Sequence, residues 1–323
     1  MSLKPLNLEN GSLMKTPMVS VIVPNYNYAR YLDERMDSVL GQTYLYFEVI
    51  LLDDKSTDDS KDVLEKYRHH PRVSQIVYNE NNSGSTFKQW LKGFELAKGE
   101  LIWIAESDDT CEPILLEKLV SEFQKDDDLV LAFSLTRLFK DNGWIFDIPS
   151  LDKTPKTIVG GRKFIRRYMA DGCYVTNASS ALFRKDVALN INSQYTKFKS
   201  CGDRLFWIEI AEHGNVAIIN ERLNYCRRHG DNVTDKNTYD GTNQREGKMI
   251  MDYLVEKGYL NNWEKIKYSS RYVYAKIVNR DFDCKETKSE LLKLWEVGIA
   301  TKIYMWFLVM KAKGSKIKHM FKK

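Results

Sequence analysis

Residues 19–54 read VSVIVPNYNYARYLDERMDSVLGQTYLYFEVILLDD. Val19–Val23 is a β-branched apolar run of the kind that forms a strand buried on both faces. Over residues 29–41 the period changes: Leu32, Met36, Val39 and Leu40 recur at helical spacing. Phe47–Leu52 is again an unbroken apolar run. The same strand–helix rhythm continues outward from this stretch. It predicts a helix over 57–68, a strand over 73–79, a helix over 85–98 closed by Gly99, a strand over 101–105, a helix over 113–125 and a strand over 129–134. Such alternation predicts an α/β fold with a mostly parallel central sheet flanked by helices. Beyond residue 135 the pattern loosens, with strand-like ASSALF (178–183) and NVAII (215–219) separated by a helix over 202–213. From residue 240 onward the periodicity is helical. The turn-forming cluster DNVTDKNTYDGTN (231–243) marks a boundary. The expected organisation is an N-terminal tail over 1–17, a main domain over 18–238 and a helical C-terminal region with a basic tail over 239–323.

Composition narrows the class. The 323 residues are 43% hydrophobic and 29% charged, enough apolar material for a large core. The net charge of +5 is concentrated: KAKGSKIKHMFKK (311–323) holds six lysines and no acid, and the remainder is nearly neutral. A global field for nucleic acid is therefore not expected, and no nucleic-acid partner is assigned. The five cysteines are scattered with no CxxC pair, which points to reduced thiols and a cytoplasmic location. MSLKPLNLENGSLMKTP (1–17) lacks the apolar core of a signal peptide. No run approaches the ~18 apolar residues that span a bilayer.

Open parallel sheets bind ligands beyond the carboxyl ends of their strands. The second strand runs into Asp53 and Asp54, and the fourth, LIWIAESDDT (101–110), into Glu106, Ser107, Asp108 and Asp109. Like charges crowded at the end of a buried strand repel and are costly to desolvate. A divalent cation resolves the conflict, since Mg²⁺ and Mn²⁺ use one or two carboxylates together with substrate phosphates. For Asp53–Asp54 the competing explanation is a helix N-cap, a task Thr57 or Asp58 could also perform.

These stretches carry a resemblance. VSVIVPNYNYARYLDERMDSVLGQTYLYFEVILLDDKSTDDS, then NNSGS, then AKGELIWIAESDD stand in the order found in GT-A fold glycosyltransferases of family 2, and the similarity runs from about residue 18 to 235. The resemblance implies a Rossmann-like GT-A domain that binds a nucleotide-diphosphate sugar with Mn²⁺ or Mg²⁺. By position it implies that Pro24 and Tyr26 pack the nucleotide base and that Asp54, with Asp53 beside it, contacts the uracil or ribose side. It implies further that Lys88 approaches the nucleotide, Asp108 contacts sugar or ribose, and Asp109 ligates the metal. The family commonly has Asp where this chain has Glu106, which keeps the charge on a longer arm.

Transfer of a sugar to a hydroxyl also needs a proton acceptor. KSCGDRLFWIEIAEHG (199–214) offers Asp203 at the head of a largely apolar helix, and it resembles the family's base-bearing segment. Asp203 reads as the base or as a simple helix cap. A lone carboxylate opposite the leaving group implies direct displacement with inversion. Trp207 lies close to it in sequence. In YCRRHGDNVT (225–234), Arg227, Arg228 and His229 could approach a diphosphate, and the resemblance implies His229 as a metal ligand, as in some members of the family; the competing reading of His229 is an ordinary hydrogen-bonding histidine.

Two other readings stay open. A nucleotidyltransferase also sets acids and a metal beside an α/β crevice, although PNYNYARY (24–31) lacks the glycines of its phosphate loop. A non-catalytic nucleotide-sugar-binding protein on the same fold would lack the base. The expected acceptor is a saccharide or lipid-linked saccharide in cell-surface polysaccharide synthesis, with UDP the expected nucleotide from family frequency. IYMWFLVM (303–310) followed by the lysine-rich segment reads either as a peripheral contact with the cytoplasmic membrane face or as a packed helix with solvated lysines.

Overall fold

The computed structural model describes residues 8–9, 12–13, 16–150, 152–229 and 237–320. Most of the expected N-terminal tail, Gly230–Thr234 of the RRHGDNVT motif and residues 321–323 lie outside them, as do the side chains of residues 312–320.

In chain order the main elements are β1 (Val19–Asn25), α1 (Ala29–Leu40), β2 (Phe47–Asp53), α2 (Ser60–Glu65), β3 (Val73–Tyr78), α3 (Thr86–Leu96) and β4 (Leu101–Ile104). There follow β5 (Thr110–Cys111), α4 (Leu115–Phe123), β6 (Leu129–Phe139), β7 (Ile145–Asp147), β8 (Lys156–Gly160), β9 (Ala181–Arg184), α5 (Gly202–Ala211) and β10 (Asn215–Arg227). The strands join one sheet in the order β8-β10-β6-β9-β4-β1-β2-β3, with β5 added to β10 and β7 to β6. β4, β1, β2 and β3 run parallel, as does β10 with β6. β9 is antiparallel to both of its neighbours.

Every residue of β1 and β2 is buried, which is why both read as continuous apolar runs rather than alternating ones. Val21, Ile22, Leu51 and Trp103 are fully buried, each such side chain contributing about 1.5–3 kcal/mol. Gly99 sits so close to β1 that a Cβ there would lie 2.6 Å from the Met18 carbonyl oxygen and the Ser20 nitrogen. The residue is therefore a packing requirement of the α3–β4 turn rather than the expected helix terminator: α3 ends at Leu96 with Ala97 as its C-cap. Its N–H donates to Ser20 Oγ, which donates to the buried Glu48 carboxylate.

Two expectations change in detail. The segment predicted as a strand over 178–183 begins with a single 3₁₀ turn, Ala178–Ser180, and only then enters β9. The strand predicted over 215–219 continues to Arg227 through two register shifts against β6. Such irregularities re-aim side chains, and here the extra length carries β10 to the rim where the acids lie.

The chain divides into two compact units. The first takes the sheet and its helices: residues up to Phe164, Val175–Lys197 and Phe206–His229. The second takes Ile165–Tyr174 and Phe198–Leu205 together with the chain from Asn237 on, so it draws on two segments that precede residue 239. Its helices are α6 (Thr242–Glu256), α7 (Asn262–Val273), α8 (Lys285–Leu294) and α9 (Ile299–Met320). α7 starts with a reciprocal cap: Glu264 N–H donates to the Asn261 side chain and Asn261 N–H to the Glu264 carboxylate. Tyr272 stacks on Trp295 at 4.5 Å, and the Trp295 indole N–H donates to the Gln244 carbonyl. Among the described residues no helix is long and apolar enough to cross a membrane.

Candidate active site

The rim at the carboxyl ends of β1 and β2 is a hydrogen-bonded turn. Asp53 accepts from Asn25 Nδ2 (2.9 Å), Ser56 N–H (2.9 Å) and Ser56 Oγ (2.6 Å). Asp54 accepts from Asn79 Nδ2, Ser83 N–H, Ser83 Oγ and Gln89 Nε2, all at 2.6–2.9 Å. Both carboxylates are buried, and hydrogen-bond donors meet their charge. Neither is a helix N-cap: α2 begins after Asp59, and Asp58 accepts from Ser60 N–H and Ala29 N–H. Asn27 and Lys55 hold positive φ of 59° and 62° at the facing loop tips. The Asn27 side chain accepts from Thr57 N–H at 2.7 Å and keeps the two loops in register. Pro24 is buried within β1, whereas Tyr26 is 46% exposed at its end. Lys88 donates to the Ser83 carbonyl, within the loop that encloses Asp54.

The acids after β4 are distributed differently. Ser107 Oγ donates to the Pro24 carbonyl at 2.7 Å, fixing this turn to β1. Glu106 accepts from the Trp90 indole N–H at 2.9 Å, and its own N–H donates to Ser179 Oγ. Burial, with Asp108 and Asp109 nearby, raises the Glu106 carboxyl to about 8. Asp109 is buried and accepts from Ser179 Oγ (2.7 Å), Asn177 Nδ2 (2.9 Å) and Arg227 N–H (3.2 Å). Burial and the Asp108 charge raise it to about 6. Asp108 has an exposed edge, its side chain being 14% accessible, and Oδ2 lies 3.0 Å from His229 Nε2.

The end of β10 closes this group. Arg227 pairs with Glu34 and Asp141, lies between the Tyr31 and Phe139 rings and donates from Nε to the Asp108 carbonyl. His229 packs between Tyr28 and Tyr31, with ring centroids at 5.4 and 5.6 Å. Arg228 N–H donates to the Phe139 carbonyl. A carboxylate oxygen and an imidazole nitrogen meet here in a hydrogen bond with partial access to solvent, and a divalent ion held by the two would take the place of that bond; among the described residues no group of three or more His, Cys, Asp or Glu is placed to hold a metal ion. Asp108 and His229 form this pair. Asp109, expected as the metal ligand, has its oxygens turned toward Ser179, Asn177 and Arg227.

Asp203 belongs to the second unit, at the start of α5. Its Oδ1 accepts from Arg204 N–H at 2.7 Å. Burial, with a further push from Glu246, raises its carboxyl to about 6 against the pull of Arg204. Glu246 on α6 accepts from the N–H groups of Lys199, Ser200 and Cys201 at 2.6–3.0 Å and so fixes the loop that leads to Asp203.

Several site residues carry little sequence signal. Arg35 is fully buried beside Trp103, where its charge favours the ionised forms of Glu106 and Asp109 against the effect of burial. An arginine within the Leu32–Met36–Val39 stripe is the one clue to it. Asn177 and Ser179 sit in an irregular segment, and Glu246 lies on an ordinary amphipathic helix. Trp207 is fully buried against Phe206 and Phe183, a core residue of the first unit.

A mostly parallel sheet whose rim gathers carboxylates, an Asp–His pair and a buried arginine has the ligand crevice of an open α/β fold at the carboxyl ends of its strands. Residues 20–190 match the sequence profile of glycosyl transferase family 2, and the chain belongs to that family. It is 26% identical over 295 residues to an uncharacterized glycosyltransferase of Nostoc sp., covering 89% of this chain and 88% of that one. It is 24% identical over 283 residues to the chondroitin synthase of Pasteurella multocida, covering 84% of this chain. It spans only 27% of that synthase's length. The Staphylococcus aureus protein TarS, solved in complex with UDP-GlcNAc, shares the fold with a TM-score of 0.66 at 18% identity, over 87% of this chain and 81% of that one.

Proposed function

We propose that the protein is an inverting, metal-dependent glycosyltransferase. In this reading it moves a sugar from a nucleotide-diphosphate donor, UDP-linked by preference, to a hydroxyl of a saccharide or lipid-linked saccharide in polysaccharide synthesis. The observation that carries the reading is the Asp108–His229 pair at 3.0 Å on the rim of a family 2 fold. Asp108 and His229 would hold Mn²⁺ or Mg²⁺, which when bound supplies positive charge to the leaving diphosphate. This reading gives the ligand role expected of Asp109 to Asp108, and Asp109, held by Ser179, Asn177 and Arg227, the part of an anchor for its neighbour.

Tyr26, half exposed at the end of β1, offers a face to the nucleotide base. The turn organised by Asp53 and Asp54 shapes the floor beneath it. Arg228 supplies a cation next to His229, and Lys88 one beside the Asp54 loop. Asp203 takes the proton from the acceptor hydroxyl as the new glycosidic bond forms and the bond to the diphosphate breaks. A carboxyl poised near 6 is ionised at neutral pH yet remains a stronger base than an exposed aspartate.

The test is thermal stabilisation by UDP, GDP and dTDP, each with and without Mn²⁺, on the wild type and on Asp108→Ala. A nucleotide at ~100 times its dissociation constant stabilises by about 2.7 kcal/mol. A nucleotide response that requires Mn²⁺ and disappears in Asp108→Ala supports the site and names the donor base. Absence of any response in folded protein removes the transferase reading. Proton NMR of the first product formed from an active donor then reads the anomeric configuration.

A further inference from the structure

Helix α9 presents two unlike sides. Thr301 is buried, and Tyr304 meets Trp263 edge to face at 5.8 Å, both within the second unit. Elsewhere on the helix, Ile299, Ile303, Trp306, Phe307 and Met310 are 79, 62, 63, 56 and 49% exposed. Their spacing of four, three, one and three residues places all five on one helical stripe. Single exposed apolar residues need no explanation, but a contiguous stripe containing Trp and Phe marks an interaction surface.

Charge selects the occupant. Lys302 and Lys311 are exposed on the same helix, and the sequence from 311 to 323 adds lysines to a total of six without one acid. A second copy of this chain would bring another lysine-rich segment to the same seam, against like charge. A helix with an aromatic stripe and lysines on its flanks complements an anionic surface whose interior is apolar.

We propose that α9 is an interfacial helix that docks the protein on an anionic lipid bilayer. Trp306, Phe307 and Ile303 enter the boundary between headgroups and acyl chains, and Lys302 and Lys311 lie over anionic headgroups. The inference uses none of the catalytic residues, so it stands or falls apart from the transferase reading.

The experiment is co-sedimentation of the full chain with phosphatidylcholine vesicles, with or without about one-third phosphatidylglycerol, at low and high salt. The expected result is binding to the anionic vesicles at least about tenfold stronger than to the neutral ones, weakened by salt. The double variant Trp306→Ser/Phe307→Ser loses binding at least about tenfold while its circular dichroism is unchanged. Wild-type tryptophan emission shifts to the blue on anionic vesicles, and Trp306→Phe, which still binds, lacks most of that shift. The nucleotide-induced thermal shift, run in parallel, is the same in the wild type and the double variant. Three results would overturn the proposal: no sedimentation with anionic vesicles, equal sedimentation of the double variant, or a dimer abolished by that variant in a protein that ignores vesicles.

Discussion

Two strand ends of the same sheet each finish in a pair of aspartates, yet the pairs are used differently. After β2, Asp53 and Asp54 are enclosed by seven hydrogen bonds from Asn25, Ser56, Asn79, Ser83 and Gln89. Their charge is consumed in building the loops. After β4 the work is divided. Asp109 is spent on Ser179, Asn177 and Arg227, while Asp108 keeps an accessible edge and meets a histidine. The lesson is that a buried carboxylate at a strand end is not by itself a ligand. What matters is whether its lone pairs are already taken by the protein.

Substitutions that remove charge but keep shape test that contrast directly. Asp108→Asn should cost about 10³-fold in transfer rate, the scale of losing one electrostatic stabiliser of the leaving group. Its melting temperature should stay within ~2 °C of wild type, because Asp108 has one side-chain partner among the described residues. If the rate survives in Asp108→Asn and is lost without unfolding in Asp109→Asn, the ligand role returns to Asp109. Asp203→Asn should cost roughly 10²-fold or more if Asp203 is the general base.

The stability effect of Asp203→Asn has the opposite sign. Burial raises the folded-state carboxyl to about 6, so ionisation is easier in the unfolded chain. Stability linked to this group is present in full below the unfolded pKa and is lost as pH rises through about 6. At pH 7.5 the asparagine variant should therefore melt at or above the wild-type temperature while being inactive. Wild-type rates should fall as pH drops through about 6. A variant that melts well below wild type would mean that Asp203 serves chiefly as the cap of α5.

On the other side of the comparison, Asp54→Asn should act on stability. It keeps the oxygen that takes the Asn79, Ser83 N–H and Gln89 donors but sets an NH₂ group against the Ser83 hydroxyl and removes the charge that all four bonds meet, at a cost of about 1–2 kcal/mol. Calorimetry reads that loss. A stable Asp54→Asn whose KM for the nucleotide alone has risen would instead make Asp54 a direct nucleotide contact.

The parallel half of the sheet was legible because buried parallel strands are uninterrupted apolar runs and the helices between them keep their period. The antiparallel insertion of β9 was not, since four residues carry no signal of direction and the preceding turn depends on the Asn177 side chain accepting from Ser179 N–H. Which residues follow the strands could be read directly. Which oxygens remain available could not, because Asn79, Ser83, Asn177 and Ser179 come from loops distant in sequence. Arg35 illustrates the same limit. An arginine in an apolar stripe reads as a flaw in the helix pattern until the acids above Trp103 give its charge a purpose.

The smallest effect is expected at Glu106. Its Oε1 accepts the Trp90 indole N–H at 2.9 Å, and Trp90 is packed by Phe87, Phe206 and Trp207. Glutamine keeps an acceptor at the same reach, so Glu106→Gln should stay within about threefold of wild type in kcat/KM and within about 0.5 kcal/mol in stability. Glu106→Asp keeps the charge but shortens the arm by one methylene and strands a buried indole N–H, at about 1–2 kcal/mol. The chemically larger change should thus be the milder one, because length rather than charge holds this contact. Were Glu106→Asp neutral and Glu106→Gln inactive, Glu106 would be acting through its charge on the donor, and the region after β4 would contain two working acids.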